Sequence, residues 1–94
     1  MDIISEKILE KALVKVVKEN TGFCIKLTPV NFTGLPDRMV LLTGRRIFFV
    51  EVKSTGQKLR PRQDAVRRQI ENLGFRYYIL DSWQVLEEIK TVEL

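Results

Sequence analysis

Between residues 6 and 20 the apolar and polar positions repeat every three to four residues. Leu9, Leu13, Val16 and Val17 form one stripe, and Lys7, Lys11, Lys15 and Lys18 the other. That spacing predicts an amphipathic helix with a lysine-rich solvent face. Ser5 can cap its start, and Asn20-Thr21-Gly22 stops it. The period then falls to two in Phe23-Cys24-Ile25-Lys26-Leu27, a first strand. A loop over 28–36 contains Pro29, Gly34 and Pro36. Further strands are expected at about 38–43 and 47–53, folded antiparallel by a hairpin at Thr43-Gly44-Arg45-Arg46. The second of them holds the apolar run Ile47-Phe48-Phe49-Val50, which reads as a buried strand. After a loop over 54–60 containing Gly56, Pro61 suits the first position of a second helix over about 61–73. Val66, Ile70 and Leu73 are its buried stripe and Gly74 its stop. Phe75-Arg76-Tyr77-Tyr78-Ile79-Leu80 predicts a fourth strand. Asp81, with Gln84 three residues on, resembles a capping box for a last helix to about Lys90. The order αβββαβα predicts an α/β fold, a central four-stranded mixed sheet flanked by helices.

A chain of 94 residues makes one domain, 1–94. Its core is modest, because a chain this short buries only about 60–65% of its unfolded surface. Either the packing is good or a partner subunit adds to the core. The 45% apolar and 30% charged composition fits an ordinary soluble globular protein. No apolar run approaches the roughly 20 residues of a membrane span, and Asp2, Ser5 and Glu6 interrupt any signal-peptide pattern.

Composition also narrows the chemistry. Histidine is absent, which excludes Ser-His-Asp and Cys-His catalysis and His-ligated zinc. A lone cysteine, Cys24, excludes an internal disulfide and a Cys-based zinc site, and reads as core filler of the first strand. Any chemistry must come from carboxylates, lysine, arginine and a metal. The net charge is only +4, but residues 45–68 hold Arg45, Arg46, Lys53, Lys58, Arg60, Arg62, Arg67 and Arg68 against Glu51 and Asp64. Such a stretch suits a polyanion, or simply solvates a helix face. Residues 81–94 are acidic, with Asp81, Glu87, Glu88 and Glu93 against Lys90. That last helix either covers a hydrophobic edge or faces solvent. Trp83, Tyr77 and Tyr78 read as packing residues.

The apolar third strand ends in Glu51-Val52-Lys53. Side chains at i and i+2 of a strand share a face, so Glu51 and Lys53 project together and Val52 points away. Asp37 opens the preceding strand, and an antiparallel hairpin brings it to the same sheet end. Two carboxylates and a lysine converging there suit a divalent metal with a cationic helper. The plainer reading is a structural Glu-Lys pair and an Asp that caps a turn.

This order, with Pro-Asp and Glu-x-Lys on adjacent strands, resembles the core of the PD-(D/E)xK nuclease superfamily. Gly34-Leu35-Pro36-Asp37-Arg38-Met39-Val40 resembles the G-x-P-D segment of its VRR-NUC family, and Phe49-Val50-Glu51-Val52-Lys53 the F-V-E-x-K strand. Leu59-Arg60-Pro61-Arg62-Gln63 resembles the L-x-x-x-Q opening of the second helix, and Gly74-Phe75 into Asp81-Ser82 also fits. The resemblance covers about residues 6–85, and the shortness is similar to the stand-alone viral and prophage members.

The resemblance implies Mg²⁺ or Mn²⁺ held by Asp37, Glu51 and the Val52 backbone carbonyl. Hard cations of this kind take oxygen ligands. Lys53 would orient the attacking water or offset transition-state charge. Gln63 falls on the inward stripe of the second helix and would hold water or phosphate near Lys53; alternatively backbone groups satisfy its amide. Glu10 matches the family's first-helix glutamate and could bind a second metal or position water. Glu6 lies one turn earlier on the same side, and either acid could instead pair with the lysine stripe. Lys26, Arg38, Arg45, Arg46, Lys58, Arg60, Arg62, Arg67 and Arg68 are candidate phosphate contacts, with Arg60 and Arg62 at a helix N-terminus that favours anions.

The expected protein is a metal-dependent, structure-selective endodeoxyribonuclease. By resemblance it acts as a homodimer on four-way (Holliday) junction DNA, in the cytoplasm of a bacterial host and encoded by a phage or prophage. A nuclease preferring flaps, single strands or duplex, and a DNA-binding module without catalysis, are the other readings.

Overall fold

The computed structural model describes residues 3–28 and 30–94. Pro29 of the long loop and Asp2 therefore lie outside the described residues. The elements follow in the expected order: α1 (Glu6–Glu19), β1 (Phe23–Lys26), β2 (Arg38–Leu42), β3 (Arg46–Val52), α2 (Pro61–Asn72), β4 (Arg76–Leu80) and α3 (Trp83–Glu93). The sheet order is β1-β2-β3-β4. The first two pairings are antiparallel and β3 pairs with β4 in parallel, so the sheet is mixed. The parallel pair needs a crossover connection, and α2 supplies it.

Strand alternation sorts the side chains into two layers. Val40, Leu42, Phe48, Val50, Val52 and Leu80 meet Leu9, Leu13 and Val17 of α1 and Leu86 and Ile89 of α3. Phe49, Tyr77 and Ile79 point to the opposite face and meet Val66 and Ile70 of α2 with Leu35 and Leu59. The sheet thus lies between α1 and α3 on one side and α2 on the other. Burying each large apolar side chain of the main layer contributes about 1.5–3 kcal/mol.

Element ends follow local chemistry. The Ser5 hydroxyl accepts from the Ile8 amide at 3.3 Å, the expected cap of α1. Thr21, with φ of 57°, turns the chain out of α1. At Gly22 a Cβ would lie 2.8 Å from the Leu41 backbone carbonyl oxygen, so a larger residue there would push β1 away from β2. Gly44 and Arg45 both take positive φ in the β2–β3 hairpin. The start of α3 differs from expectation. Ser82, not Asp81, is the cap, accepting from Val85 at 3.3 Å. Asp81 instead follows directly on β4, and its carbonyl accepts from the Thr55 hydroxyl at 3.3 Å.

The acidic α3 also has an inward side. Glu93 is 1% exposed. Its carboxylate accepts from Arg76, with the second contact at 2.7 Å, and from the Tyr78 hydroxyl at 2.7 Å. Its backbone carbonyl accepts from Arg46. This cluster ties the end of α3 to the starts of β3 and β4. Tyr77 and Tyr78 pack as expected, Tyr78 edge-on to Phe48 at 5.5 Å, whereas Trp83 stays 45% exposed at the first turn of α3. Cys24 is half-buried against the main layer, and burial raises its thiol pKa. Among the described residues no helix is long and apolar enough to cross a membrane.

Candidate active site

The segment leading into β2 is held tightly. Gly34 has φ of 88°, and a Cβ there would meet Arg62 of α2 at 2.8 Å from Cγ. Only glycine allows this loop to lie against the helix in that conformation. Pro36 is fully buried. The Asp37 carbonyl accepts from the Leu27 amide at 2.8 Å, which fixes its backbone to the end of β1. Its side chain then crosses to β3, where Oδ2 accepts from the Val52 amide at 2.8 Å. The expected meeting of Asp37 with the Glu51 end of β3 is present.

Glu51 is 4% and Lys53 8% exposed. Both lie on the α2 side of the sheet, with the Val52 side chain buried on the other. Lys53 Nζ stands 3.5 Å from Glu51 Oε2. Gln63 Nε2 donates to the same Oε2 at 3.0 Å, while Gln63 Oε1 accepts from the Arg60 amide at 2.9 Å. Backbone thus satisfies one half of the Gln63 amide, and the other half reaches the Glu51 carboxylate. Glu51 Oε1 is buried with no hydrogen-bond partner. Burial first, and the neighbouring Asp37 carboxylate second, push the Glu51 pKa up to about 7, against the lowering influence of Lys53.

Not every candidate joins this group. Glu10 is held by Arg38 Nε at 2.8 Å. Among the described residues no cluster of three or more acidic, cysteine or histidine side chains forms. The reason is the sheet itself. Glu10 rides on α1, which covers the face opposite to that of Glu51, and Arg38 points to that same face. Glu6 is exposed on α1. The Val52 amide is engaged by Asp37, and its carbonyl belongs to the same short stretch of backbone.

The basic residues divide into groups that their closeness in sequence does not reveal. Arg38 is occupied by Glu10 and by the Cys24 carbonyl at 3.0 Å. Arg45 and Arg46 sit at the hairpin, the far end of β3 from Glu51, about 17 Å away at the usual rise per residue. Arg46 is moreover bonded to Thr43 and Glu93. Arg67 and Arg68 pair with Asp64 at 2.8 and 2.5 Å, and Arg67 also with Glu71 at 3.0 Å. Lys58, Arg60 and Arg62 remain beside Gln63 at the N-terminus of α2. Arg62 also donates to Thr33 and stacks over Phe32 at 5.6 Å. Lys26 is exposed on β1.

One residue that the sequence marks only for packing also borders the site. Tyr77 is buried on the Glu51 face, and its hydroxyl has no partner. Burial, Glu51 and Asp37 all raise its pKa. Its signal was positional: it pairs with Phe49, one inward step from Glu51.

The arrangement can hold a hard cation. Two adjacent carboxylates in a dry site need positive charge, and Glu51 Oε1 is a buried acceptor lacking a donor. All protein donors here are oxygens, which suits Mg²⁺ or Mn²⁺.

Comparison with known proteins identifies the family. The family model of the VRR-NUC domain matches residues 3–84. The chain is 37% identical over 82 residues to the protein named "Putative nuclease p44" of Acyrthosiphon pisum secondary endosymbiont phage 1, covering 87% of this chain and 88% of that one. A solved structure of a VRR_NUC domain shares the fold with a TM-score of 0.88 at 23% identity, over 95% of this chain and 97% of that one. The chain belongs to the VRR-NUC family of nucleases.

Proposed function

We propose that this chain is a Mg²⁺- or Mn²⁺-dependent endodeoxyribonuclease that acts as a homodimer on four-way DNA junctions, in the cytoplasm of a bacterial host. The observation that carries the metal reading is the buried, partnerless Glu51 Oε1 beside Asp37. Junction preference and pairing into a dimer rest on the likeness to stand-alone phage members. A twofold enzyme also places two sites on opposing strands.

In this reading Asp37, Glu51 and the Val52 carbonyl hold the cation. When bound, it polarises the phosphodiester and lowers the pKa of a water. The chain's own groups do the rest. Val52 fixes one oxygen of Asp37, leaving the other for the ion. Gln63 and Lys53 fix Oε2 of Glu51, leaving Oε1. The buried Lys53 ammonium sits where negative charge accumulates on the phosphoryl oxygens, and a desolvated cation is effective there. Lys58, Arg60 and Arg62 line the approach and contact the backbone phosphates, which positions the strand without reading bases. A water oxygen bonds to phosphorus as the P–O bond to the leaving sugar oxygen breaks. One product end keeps the phosphate and the other becomes a hydroxyl. Glu10 serves in this scheme as the partner of Arg38.

The test is cleavage of labelled four-way junction, flap, single-stranded and linear duplex DNA in Mg²⁺ or Mn²⁺, with Glu51→Ala and Lys53→Ala alongside. Paired junction cuts lost in both variants support the reading. Cleavage confined to another substrate retains the site and removes the junction. Junction binding without cleavage in either metal makes the chain a binding module.

A further inference from the structure

The loop between β1 and β2 holds an aromatic ring outward beside the candidate active site. Phe32 is 47% exposed and belongs to neither core layer. The loop is clamped where it carries this ring. Arg62 Nε donates to the Thr33 carbonyl at 3.2 Å and to the Thr33 hydroxyl at 3.3 Å. Gly34 lies directly against Arg62. The Arg62 guanidinium stands 5.6 Å from the centre of the Phe32 ring, a cation–π contact that helps fix the ring in place. A lone exposed phenylalanine is ordinary on a protein surface, but this one forms a wall of a cleft. The cleft measures about 370 Å³, with Phe32, Thr33 and Leu35 on the loop side and Arg60, Arg62 and Gln63 on the α2 side. Gln63 donates to Glu51 Oε2 at 3.0 Å, so the cleft adjoins the carboxylate pair.

We propose that this cleft takes one unpaired nucleotide next to the scissile phosphate, with its base against Phe32 and its phosphate on Arg60. The assignment rests on the reading of the site as one for branched DNA and deepens it by naming what is recognised in a branch. Size argues for this occupant. Clefts for small ligands run from about 300 to 1,000 Å³, and one at the low end admits a single nucleotide but no duplex. Chemistry argues for it as well. Sites for single-stranded nucleic acid combine positive charge along the backbone with aromatic side chains on which bases stack, and every base has a π face. Among the described residues Arg60 forms no ion pair with an acid, so its charge is open to a phosphate. Gln63 has both halves of its amide engaged, so the cleft offers stacking and charge rather than a pattern that reads base edges. Taking a base out of a duplex costs stacking and pairing, and costs least where the base is already unpaired. The cleft thereby favours a branch over a continuous duplex whatever the sequence.

Fluorescence anisotropy in a metal chelator tests this with labelled four-way junction and linear duplex DNA. The proteins are the wild type, Phe32→Ala, Phe32→Tyr and Arg60→Ala, and a second series of junctions lacks one base at each position near the branch point in turn. Binding is read without cleavage, so the result stands apart from catalysis. Phe32→Ala should weaken junction binding about tenfold, within the usual range for losing one stacked base, and affect the duplex less. Phe32→Tyr keeps the ring and should bind as the wild type does. One abasic position should weaken the wild type by a similar factor and cost Phe32→Ala nothing more, because both changes remove the same contact. The abasic junctions probe that contact in unaltered protein, so a fold disturbed by Phe32→Ala cannot imitate the result. Junction binding weakened by Arg60→Ala but not by Phe32→Ala overturns the cleft alone. So does an abasic series whose losses simply add to that of Phe32→Ala. A wild type that binds neither DNA overturns the branched-DNA reading and the cleft with it.

Discussion

Gln63 joins two parts of the site with one side chain: its Nε2 donates to Glu51 Oε2 at 3.0 Å, and its Oε1 accepts from the Arg60 amide at 2.9 Å. It closes the first turn of α2 and orients a carboxylate on β3. Gln63→Ala should cost only about 1 kcal/mol of stability, the net worth of a typical hydrogen bond. Losing the group that aims a metal-ligating carboxylate typically costs about 10–100-fold in activity. Gln63→Glu should lose at least as much, because it adds a third negative charge beside Asp37 and Glu51. Thermal unfolding and single-turnover cleavage, measured together, check this. Full activity with lowered stability would reduce Gln63 to a helix cap.

Glu51 makes the free protein less stable as pH rises. Its folded pKa is raised to about 7, chiefly by burial and then by Asp37. A raised carboxylate pKa contributes stability that is fully present below the unfolded value near 4.5 and is lost as pH climbs through about 7. Glu51→Gln keeps the shape and removes the charge. It should therefore melt higher than wild type at pH 8, by an amount on the order of 2–3 kcal/mol, with the gap closing at pH 5. Cleavage should vanish in the same variant. Melting curves without metal at the two pH values decide it; a variant no more stable at pH 8 than wild type would sink the argument.

The same proton must leave when a divalent ion binds. Mn²⁺ should raise the melting temperature of the wild type strongly at pH 8 and weakly at pH 5.5. Apparent affinity should fall about tenfold per pH unit well below 7, since one proton competes with the ion. Glu51→Gln should show little shift at either pH. Equal Mn²⁺ stabilisation at both pH values, or in the variant, would place the ion elsewhere.

The order of elements, the layers and the carboxylate pair were legible in the sequence because each rests on local periodicity or on strand parity. Leu9, Leu13 and Val17 are buried at helical spacing, and Glu51 and Lys53 share a face because they are two apart. Failures came where a long-range partner decided the outcome. Glu10 is claimed by Arg38, which helix spacing alone cannot foresee. The run of basic residues in 45–68 spans a whole strand and a crossover, so its members end at opposite ends of the sheet. Asp81 and Ser82 are both good caps, and the point where β4 releases the chain selected Ser82. The sequence left open whether the acidic last helix covers an edge or faces solvent, and Arg76 and Tyr78 draw its Glu93 inward.

Glu93 is accordingly a stability residue remote from the site. It bonds at the starts of β3 and β4, and Glu51 lies near the end of β3. Burial raises its pKa, but the Arg76 and Tyr78 hydrogen bonds outweigh that and hold it below the usual value. A lowered carboxylate pKa contributes stability that is present above the unfolded value and lost as pH falls through the folded one. Glu93→Ala strips the acceptor from Tyr78 and Arg76 and should cost about 2–4 kcal/mol, within the range for breaking a charged buried network. Urea unfolding at pH 7 and pH 3 should show the deficit shrinking in acid. Cleavage per folded molecule should be unchanged; a specific loss of activity would tie this cluster to the site.

Phosphate binding should follow geometry rather than the number of charges. Among the described residues Lys58 and Arg60 have no acidic partner, and Arg60 caps the helix whose Gln63 touches Glu51. Arg67 and Arg68 share Asp64, so much of their charge is offset locally. Such exposed pairs contribute only about 0–1 kcal/mol to folding, so removing them perturbs little else. Removing one side chain that truly neutralises a phosphate should lower the salt slope of binding by about 1. Lys58→Ala and Arg60→Ala should each do so with DNA of any sequence. Arg45→Ala, at the opposite end of β3, and Arg68→Ala should leave the slope nearly unchanged. Junction binding in a metal chelator, titrated across salt, separates the groups. A larger change at Arg45 than at Arg60 would mean that DNA crosses the hairpin end of the sheet rather than the N-terminus of α2.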